Sequence, residues 1–130
     1  MTDTVADMLT RIRNANMTGQ ESVDIPLSRF KVAIARVLKN EGFIKEFKEI
    51  PDERQGTLRV YLKYGPMKQR VITQIRRDSK SGRRLYKKAG EIKNVLSGIG
   101  IAIYSTPKGI ISNKEAHKLH VGGELICTVW

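Results

Sequence analysis

The chain has 130 residues, 40% of them hydrophobic, which is enough for one compact unit or two small lobes that share a boundary. Its 24 Lys and Arg residues exceed its 13 acidic residues, and the formal charge of +11 favours a polyanionic partner, either nucleic acid or an anionic membrane surface. A single cysteine, Cys127, excludes an internal disulfide and a cysteine-based metal cluster. No apolar run approaches the roughly 20 residues that span a bilayer. The N-terminus carries Asp3 and Asp7 and does not resemble a secretory signal, so we expect a cytoplasmic protein.

The first half of the chain is predicted to fold as α-β-α-β-β. Thr4 is a capping residue with Asp7 three positions later, and the apolar residues that follow recur at helical spacing. Gly42 suits the end of the second helix, because glycine adopts a left-handed conformation at little cost. The predicted elements are a helix from Thr4, a strand at 22–27, a helix capped by Ser28, and strands at 43–50 and 58–64.

The second half is predicted to be mainly β. Gly65-Pro66 breaks the pattern, so we expect an N-terminal α/β lobe at 1–65 and a C-terminal lobe at 66–130. The predicted C-terminal elements are strands at 71–76, 84–87, 100–106 and 125–130, and short helices at 91–96 and from Ser112 or Asn113 to Leu119. The predicted fold class is α+β, with the N-terminal α-β-α-β-β lobe packed against a mainly β lobe that has one or two short helices.

Positive charge is concentrated in the second half. Residues 1–64 carry 11 basic and 9 acidic side chains, a net charge of +2, whereas residues 65–130 carry 13 basic and 4 acidic ones, a net charge of +9. Ten of the basic residues lie between Lys68 and Lys93. A charged sheet edge that prevents association is one explanation, but the excess is larger than that role requires. We therefore predict a surface that neutralises phosphates.

Tyr86 lies inside the basic segment, flanked by Arg84 and Lys87. An exposed tyrosine among cations suits stacking on an unpaired base, and the alternative is a ring buried in the core. Aromatic residues make up only 6% of the chain, too few for a platform that binds a long single strand. Folded RNA is therefore the predicted ligand.

A strand is predicted to deliver Ser105, Thr106, Pro107, Lys108 and Gly109 to one tip. This tip combines two hydroxyls, a rigid proline, a cation and a glycine that lets an RNA backbone approach. Hydroxyls bond to 2′-OH groups, base edges and phosphate oxygens. By itself the pattern also fits an ordinary turn.

Gly122 and Gly123 lack the spacing of a phosphate-binding loop, and a bulge before the last strand is the simpler interpretation. Glu124, which follows them, is suited to orient cations or to accept a hydrogen bond from a base amino group. His117 and His120 share a helix face but lack further metal ligands, so no metal and no cofactor is expected. No catalytic grouping of Ser, His and Asp or of Cys and His stands out.

The chain resembles the bacterial ribosomal protein eight family of the small subunit over essentially its whole length. The resemblance rests on four ordered blocks: 6–14, 31–35 with 41–44, 98–109, and 122–124. It implies a structural protein of the small ribosomal subunit that binds the central domain of small-subunit ribosomal RNA and helps its assembly. It also implies contacts with neighbouring small-subunit proteins and, as in some bacteria, repression of its own operon through messenger RNA that mimics the ribosomal site.

The resemblance also implies the residues that bind RNA. Many family members have a third hydroxyl residue where this chain has Pro107, so one hydrogen-bonding group is lost and the turn is stiffer. The main contact maps to Ser105, Thr106, Lys108, Gly109, Tyr86, Gly122, Gly123 and Glu124, and a smaller contact maps to Arg13, Asn14 and Lys31. The charge pattern adds Arg84 and Lys87, which flank Tyr86, as RNA-binding candidates.

Two other functions remain as alternatives, an RNA-modifying enzyme and a general binder of structured RNA. An enzyme predicts a cofactor loop or an acid–base grouping, and the sequence has neither. A general binder predicts equal affinity for any duplex of the same length. A role at a membrane surface has less support, because the helices lack a basic face opposite large aromatic residues.

Overall fold

The computed structural model describes residues 3–130, which form three helices and eight strands in two antiparallel sheets. This confirms the predicted α+β class. The chain divides into two compact units: residues 4–73 (the N-terminal unit), and Asp3 with residues 74–130 (the C-terminal unit). Asp3 belongs to the C-terminal unit because its carboxylate accepts a hydrogen bond of 3.2 Å from Arg77 Nε.

The two units divide after Thr73, not at the predicted break of Gly65-Pro66. Asn16 explains the difference, because its side-chain amide donates to the carbonyl of Ile72 over 2.8 Å. Ile72 is buried, so the segment that follows the break stays with the N-terminal unit. A sequence pattern gives no sign of this bond, since the two residues are 56 positions apart.

In the N-terminal unit, two helices accompany a three-stranded sheet of order β1-β3-β2. Leu58, Val60 and Leu62 alternate with less buried residues along the central strand, as the sequence predicts. The elements are α1 (Thr4–Met17), β1 (Ser22–Pro26), α2 (Arg29–Asn40), β2 (Ile44–Ile50) and β3 (Thr57–Leu62).

Ser28 caps α2 as predicted, since its hydroxyl accepts a hydrogen bond of 3.2 Å from the backbone N–H of Lys31. Gly42 follows the helix with φ +81, the left-handed conformation expected of it. The start of α1 differs from the prediction, because Thr4 is the first helical residue and not the cap. Asp7 pairs with Arg11 one turn later, at 3.0 Å.

Replacing Ser28 with alanine is expected to lower the free energy of unfolding by about 1 kcal/mol, because the first turn of α2 loses its side-chain acceptor. Urea denaturation followed by far-ultraviolet circular dichroism measures the effect. Ser28→Asp restores an acceptor and is the matched control. Equal stability of Ser28→Ala and the wild type would contradict the capping role.

The C-terminal unit contains a five-stranded sheet of order β4-β8-β6-β7, in which β5 also pairs with β8. Its elements are β4 (Ile75–Arg77), β5 (Tyr86–Lys87), β6 (Ile101–Thr106), β7 (Gly109–Ser112), α3 (Asn113–Leu119) and β8 (Gly123–Val129). Ser112 caps α3, because its hydroxyl accepts from the N–H of Glu115 at 3.2 Å.

Two 3₁₀ turns, Ala89–Glu91 and Leu96–Gly98, replace the helix that was predicted at 91–96. The backbone is left-handed at Leu96, Ser97 and Gly98 in succession, so a right-handed helix cannot pass through them.

The two faces of the C-terminal sheet have different surroundings. Ala102, Tyr104 and Leu125 lie on one face and pack with Ala116 of α3 and with Ile92, so we call it the α3 face. Side chains alternate along a strand, which directs Ser105 to the opposite face.

Candidate nucleic-acid interface

Tyr86, Glu124 and Ser105 lie side by side across three strands. Tyr86 of β5 is the partner of Glu124 of β8, and Glu124 is in turn the partner of Ser105 of β6. Partners in antiparallel strands project their side chains on the same face. Tyr86 is 69% exposed, which excludes the alternative of a buried ring. The sheet thus forms a row of an aromatic ring, a carboxylate and a hydroxyl, which we call the polar row.

Arg84 joins the polar row through Glu124, whose carboxylate accepts a hydrogen bond of 3.1 Å from the Arg84 Nη1. The Glu124 side chain is only 14% exposed, whereas that of Arg84 is 52% exposed. An ion pair with one exposed partner adds little stability, so its main consequence is geometric. The carboxylate orients the guanidinium, and the remaining N–H groups of Arg84 stay open to phosphate oxygens.

The turn between β6 and β7 is held by the Thr106 hydroxyl. The O–H group donates to the carbonyl of Gly109 at 2.9 Å, and its oxygen accepts from the N–H of Lys108 at 3.0 Å. Because the only hydroxyl proton is used inside the turn, Thr106 has no donor left for RNA. The Ser105 hydroxyl makes no hydrogen bond to any residue in the described range 3–130, so it is the hydroxyl that remains available.

Pro107 and Lys108 form the exposed tip of this turn. Proline suits the second turn position, where its fixed φ is favoured and its missing N–H is not needed. Gly109 has φ +107, a conformation that favours glycine. The tip therefore presents one cation, Lys108, on a stiff support.

Gly122 and Gly123 allow β8 to pack tightly between its neighbours. A Cβ atom on Gly123 would collide with the carbonyl oxygen of Ser105, and one on Gly122 would collide with that of Lys87. Their role is thus close packing next to the polar row. The register shift lies elsewhere on β8, between the pairs Ile103–Cys127 and Tyr104–Leu125, so the bulge predicted at the glycines is not there.

Ser79 supports the basic turn that precedes Tyr86, a role that the sequence did not reveal. Its fully buried hydroxyl accepts from the N–H of Leu85 at 2.8 Å and donates to the Leu85 carbonyl at 3.4 Å. Between these residues, Lys80 and Arg83 bond to each other through their backbones. A single serine in a polar stretch carries no sequence signal of burial.

The three predicted residues of the N-terminal unit have different environments. Asn14 is exposed and Arg13 is half-buried on α1. Lys31 is only 3% exposed, and its ammonium donates to the carbonyl of Pro26 at 2.8 Å. Burial lowers the pKa of Lys31, although the Asp7 carboxylate acts in the opposite direction. The geometry of Lys31 suits a structural role within its own unit.

Replacing Lys31 with glutamine is expected to lower the free energy of unfolding by about 1 kcal/mol, because the Pro26 carbonyl loses a well-placed donor. Affinity for ribosomal RNA should stay within about twofold of the wild type, since the side chain is enclosed. Thermal unfolding and filter binding measure the two effects. A loss of affinity without a loss of stability would show instead that Lys31 contacts the RNA.

His117 and His120 lie near each other on the described structure, with ring centroids 6.4 Å apart. Within residues 3–130, no group of three or more His, Cys, Asp or Glu side chains is arranged to hold a metal ion. In the same range, no helix has both the length and the apolar character needed to span a membrane.

Comparison with known proteins identifies the family. The model of the family described as "Ribosomal protein S8" matches residues 3–130. The small ribosomal subunit protein uS8 of Moorella thermoacetica is 58% identical over 130 residues, which cover all of both chains. The uS8 proteins of Geotalea uraniireducens and Geobacillus kaustophilus are 57% and 55% identical over all of this chain and 98% of theirs. The chain therefore belongs to the ribosomal protein S8 family, a family of structural proteins of the small ribosomal subunit and not of enzymes.

Proposed function

We propose that this small-subunit protein binds the central domain of small-subunit ribosomal RNA directly and stabilises that domain during assembly. The binding surface consists of the polar row, Arg84 and the turn at 105–109, which together we call the RNA surface. The observation that carries the proposal is the polar row, because three chemically different groups meet on one exposed face of the basic half.

Each group on the RNA surface has a distinct role. The exposed ring of Tyr86 stacks on an unpaired base, which is worth about 1–3 kcal/mol for aromatic contacts of this kind. Ser105 donates to a 2′-OH group or a base edge. The Glu124 carboxylate accepts from a base amino group while it orients Arg84.

The form of this surface favours folded RNA over an extended strand. It offers one exposed aromatic ring and one narrow turn, whereas binding to a long single strand uses a series of aromatic rings along a groove. A single stacking ring beside hydrogen-bonding groups suits a base that protrudes from a helical region. Shape and one unpaired base would then supply the specificity that cations alone do not.

Titration of a central-domain RNA fragment at several salt concentrations tests this proposal. We expect tight binding to the fragment and weaker binding to a perfect duplex of the same length. Affinity should fall steeply with salt, because bound phosphates release counterions. Equal affinity for fragment and duplex would contradict the proposal and indicate a general binder of structured RNA.

Replacing Lys108 with glutamine should reduce the slope of log affinity against log salt by about one unit, because one phosphate contact is removed. Binding should weaken to a similar extent for all RNA sequences. Lys118→Gln, which changes an exposed cation on α3, is the matched control and should leave the slope unchanged. Equal slopes for Lys108→Gln and the wild type would exclude Lys108 from the interface.

Repression of the chain's own operon is a further part of the proposal and would use the same RNA surface. Messenger RNA that reproduces the ribosomal site should compete with the central-domain fragment for one binding site. A translation reporter that carries the operon leader measures this directly. No response of the reporter to excess protein would exclude repression without affecting the ribosomal role.

A further inference from the structure

The α3 face of the C-terminal sheet contains an open groove of about 460 Å³ that the RNA surface does not use. This volume is within the range of small-molecule sites. Tyr104 and Thr128 line its floor, whereas Ser105 and Glu124 point to the opposite face of the sheet. Lys87 also lines the groove.

Cations surround the groove. Lys87 and Lys93 line it, are exposed and form no ion pair with any residue from 3 to 130. Arg76 is held in place, because its Nε donates to Asp78 at 2.9 Å. Glu91 also lines the groove, and its carboxylate accepts a hydrogen bond of 2.8 Å from the backbone N–H of Lys88. Two ammonium groups therefore remain for an anion.

Two aromatic side chains give the groove its second property. Trp130 lines it, with the Arg76 guanidinium 5.6 Å from the centre of its ring. Tyr104 as a whole residue is only 4% exposed, but its hydroxyl is not enclosed and makes no hydrogen bond to any described residue. Burial raises the pKa of Tyr104, and the charge of Asp78 adds to that effect, so the hydroxyl keeps its proton. The hydroxyl is open to the groove, so a ligand or water can hydrogen-bond to it.

We propose that this groove binds one unpaired nucleotide of RNA. Lys87 and Lys93 hold its phosphate, the base packs against Trp130, and the Tyr104 hydroxyl hydrogen-bonds to the base or the ribose. This combination of cations, an indole ring and an unbonded hydroxyl matches the three parts of a nucleotide. The inference rests on the proposed function, because ribosomal RNA would supply the nucleotide. The groove itself lies on the face of the sheet opposite to the polar row.

Trp130 provides the test, because it is the only tryptophan of the chain. Its fluorescence is followed during titration with a short unstructured oligoadenylate and, separately, with adenosine monophosphate. We expect saturable quenching by the oligonucleotide and at least about tenfold weaker binding of the mononucleotide, because neighbouring phosphates add electrostatic attraction. No saturable quenching by the oligonucleotide would overturn the proposal.

Two substitutions examine the groove itself. Tyr104→Phe removes only the unbonded hydroxyl, and Lys93→Gln removes one ammonium. Each should lower the affinity for the oligonucleotide, measured by quenching, by about fivefold. Lys118→Gln on α3 should leave it unchanged. Quenching that is insensitive to both groove substitutions would contradict the assignment.

A third substitution separates this inference from the proposed function. Ser105→Ala should weaken binding of the central-domain fragment and leave quenching by oligoadenylate intact. Quenching that persists when the fragment shows no preference over duplex would support the groove and contradict only the proposed function. Loss of quenching in Ser105→Ala would show that the groove is not a separate site.

Discussion

Replacing Gly123 with alanine is expected to destabilise the C-terminal unit by about 1–3 kcal/mol, because overpacking forces the backbone to shift. The added Cβ would collide with the Ser105 carbonyl and lie 2.9 Å from Thr106 Cγ2. Relief of that collision moves β8 away from β6 and separates Glu124 from Ser105. Affinity for the central-domain fragment should fall by at least about tenfold, equivalent to about 1.4 kcal/mol.

Gly90→Ala is the matched control for this substitution. A Cβ on Gly90 would meet no atom within 4 Å, and its backbone is not left-handed. Stability and affinity should both stay close to the wild type, or stability should rise slightly. Hydrogen exchange of β6 and β8 amides would locate the damage in Gly123→Ala. Wild-type affinity in that variant would contradict the role assigned to the polar row.

Replacing Thr106 with alanine should weaken RNA binding by about tenfold, because the turn loses both hydrogen bonds of the hydroxyl, each worth about 1 kcal/mol. The loss acts through the shape of the turn, since the hydroxyl proton already bonds to Gly109. Filter binding to the central-domain fragment measures the affinity. Thr106→Ser keeps the hydroxyl and should retain most of the wild-type affinity.

Ser105→Ala separates turn geometry from direct contact. It should weaken binding by about fivefold through loss of one hydrogen bond to RNA. Exchange of the Lys108 amide should be unchanged in Ser105→Ala and faster in Thr106→Ala, because only Thr106 accepts from that N–H. Faster exchange in both variants would show that the two residues act as one structural unit.

The regular elements of this fold were predictable because their signals are local. Ser28 and Gly42 mark the ends of α2, and the alternation from Leu58 to Leu62 marks β3. The segment from 66 to 73 was not predictable, because the Asn16–Ile72 hydrogen bond that holds it connects distant residues. The left-handed turn at 96–98 was missed because Leu96 and Ser97 are not residues that favour such a conformation.

The composition of the candidate site was predictable, but the role of each residue was not. Charge and residue type identified Tyr86 and the turn at 105–109, and the structure brings Tyr86, Glu124 and Ser105 together. The sequence predicts the same role for the hydroxyls of Ser105 and Thr106. In the structure only the Thr106 hydroxyl is bonded within the turn. The burial of Lys31 was equally hidden, since it depends on where helix α2 packs.

Chemical footprinting of intact small-subunit ribosomal RNA, with and without the protein, tests the central claim most directly. Saturating wild-type protein should protect nucleotides in the central domain, including one unpaired base, and Ser105→Ala should need about fivefold more protein for the same protection. Protection that is confined to other domains, or no protection at saturation, would contradict the account.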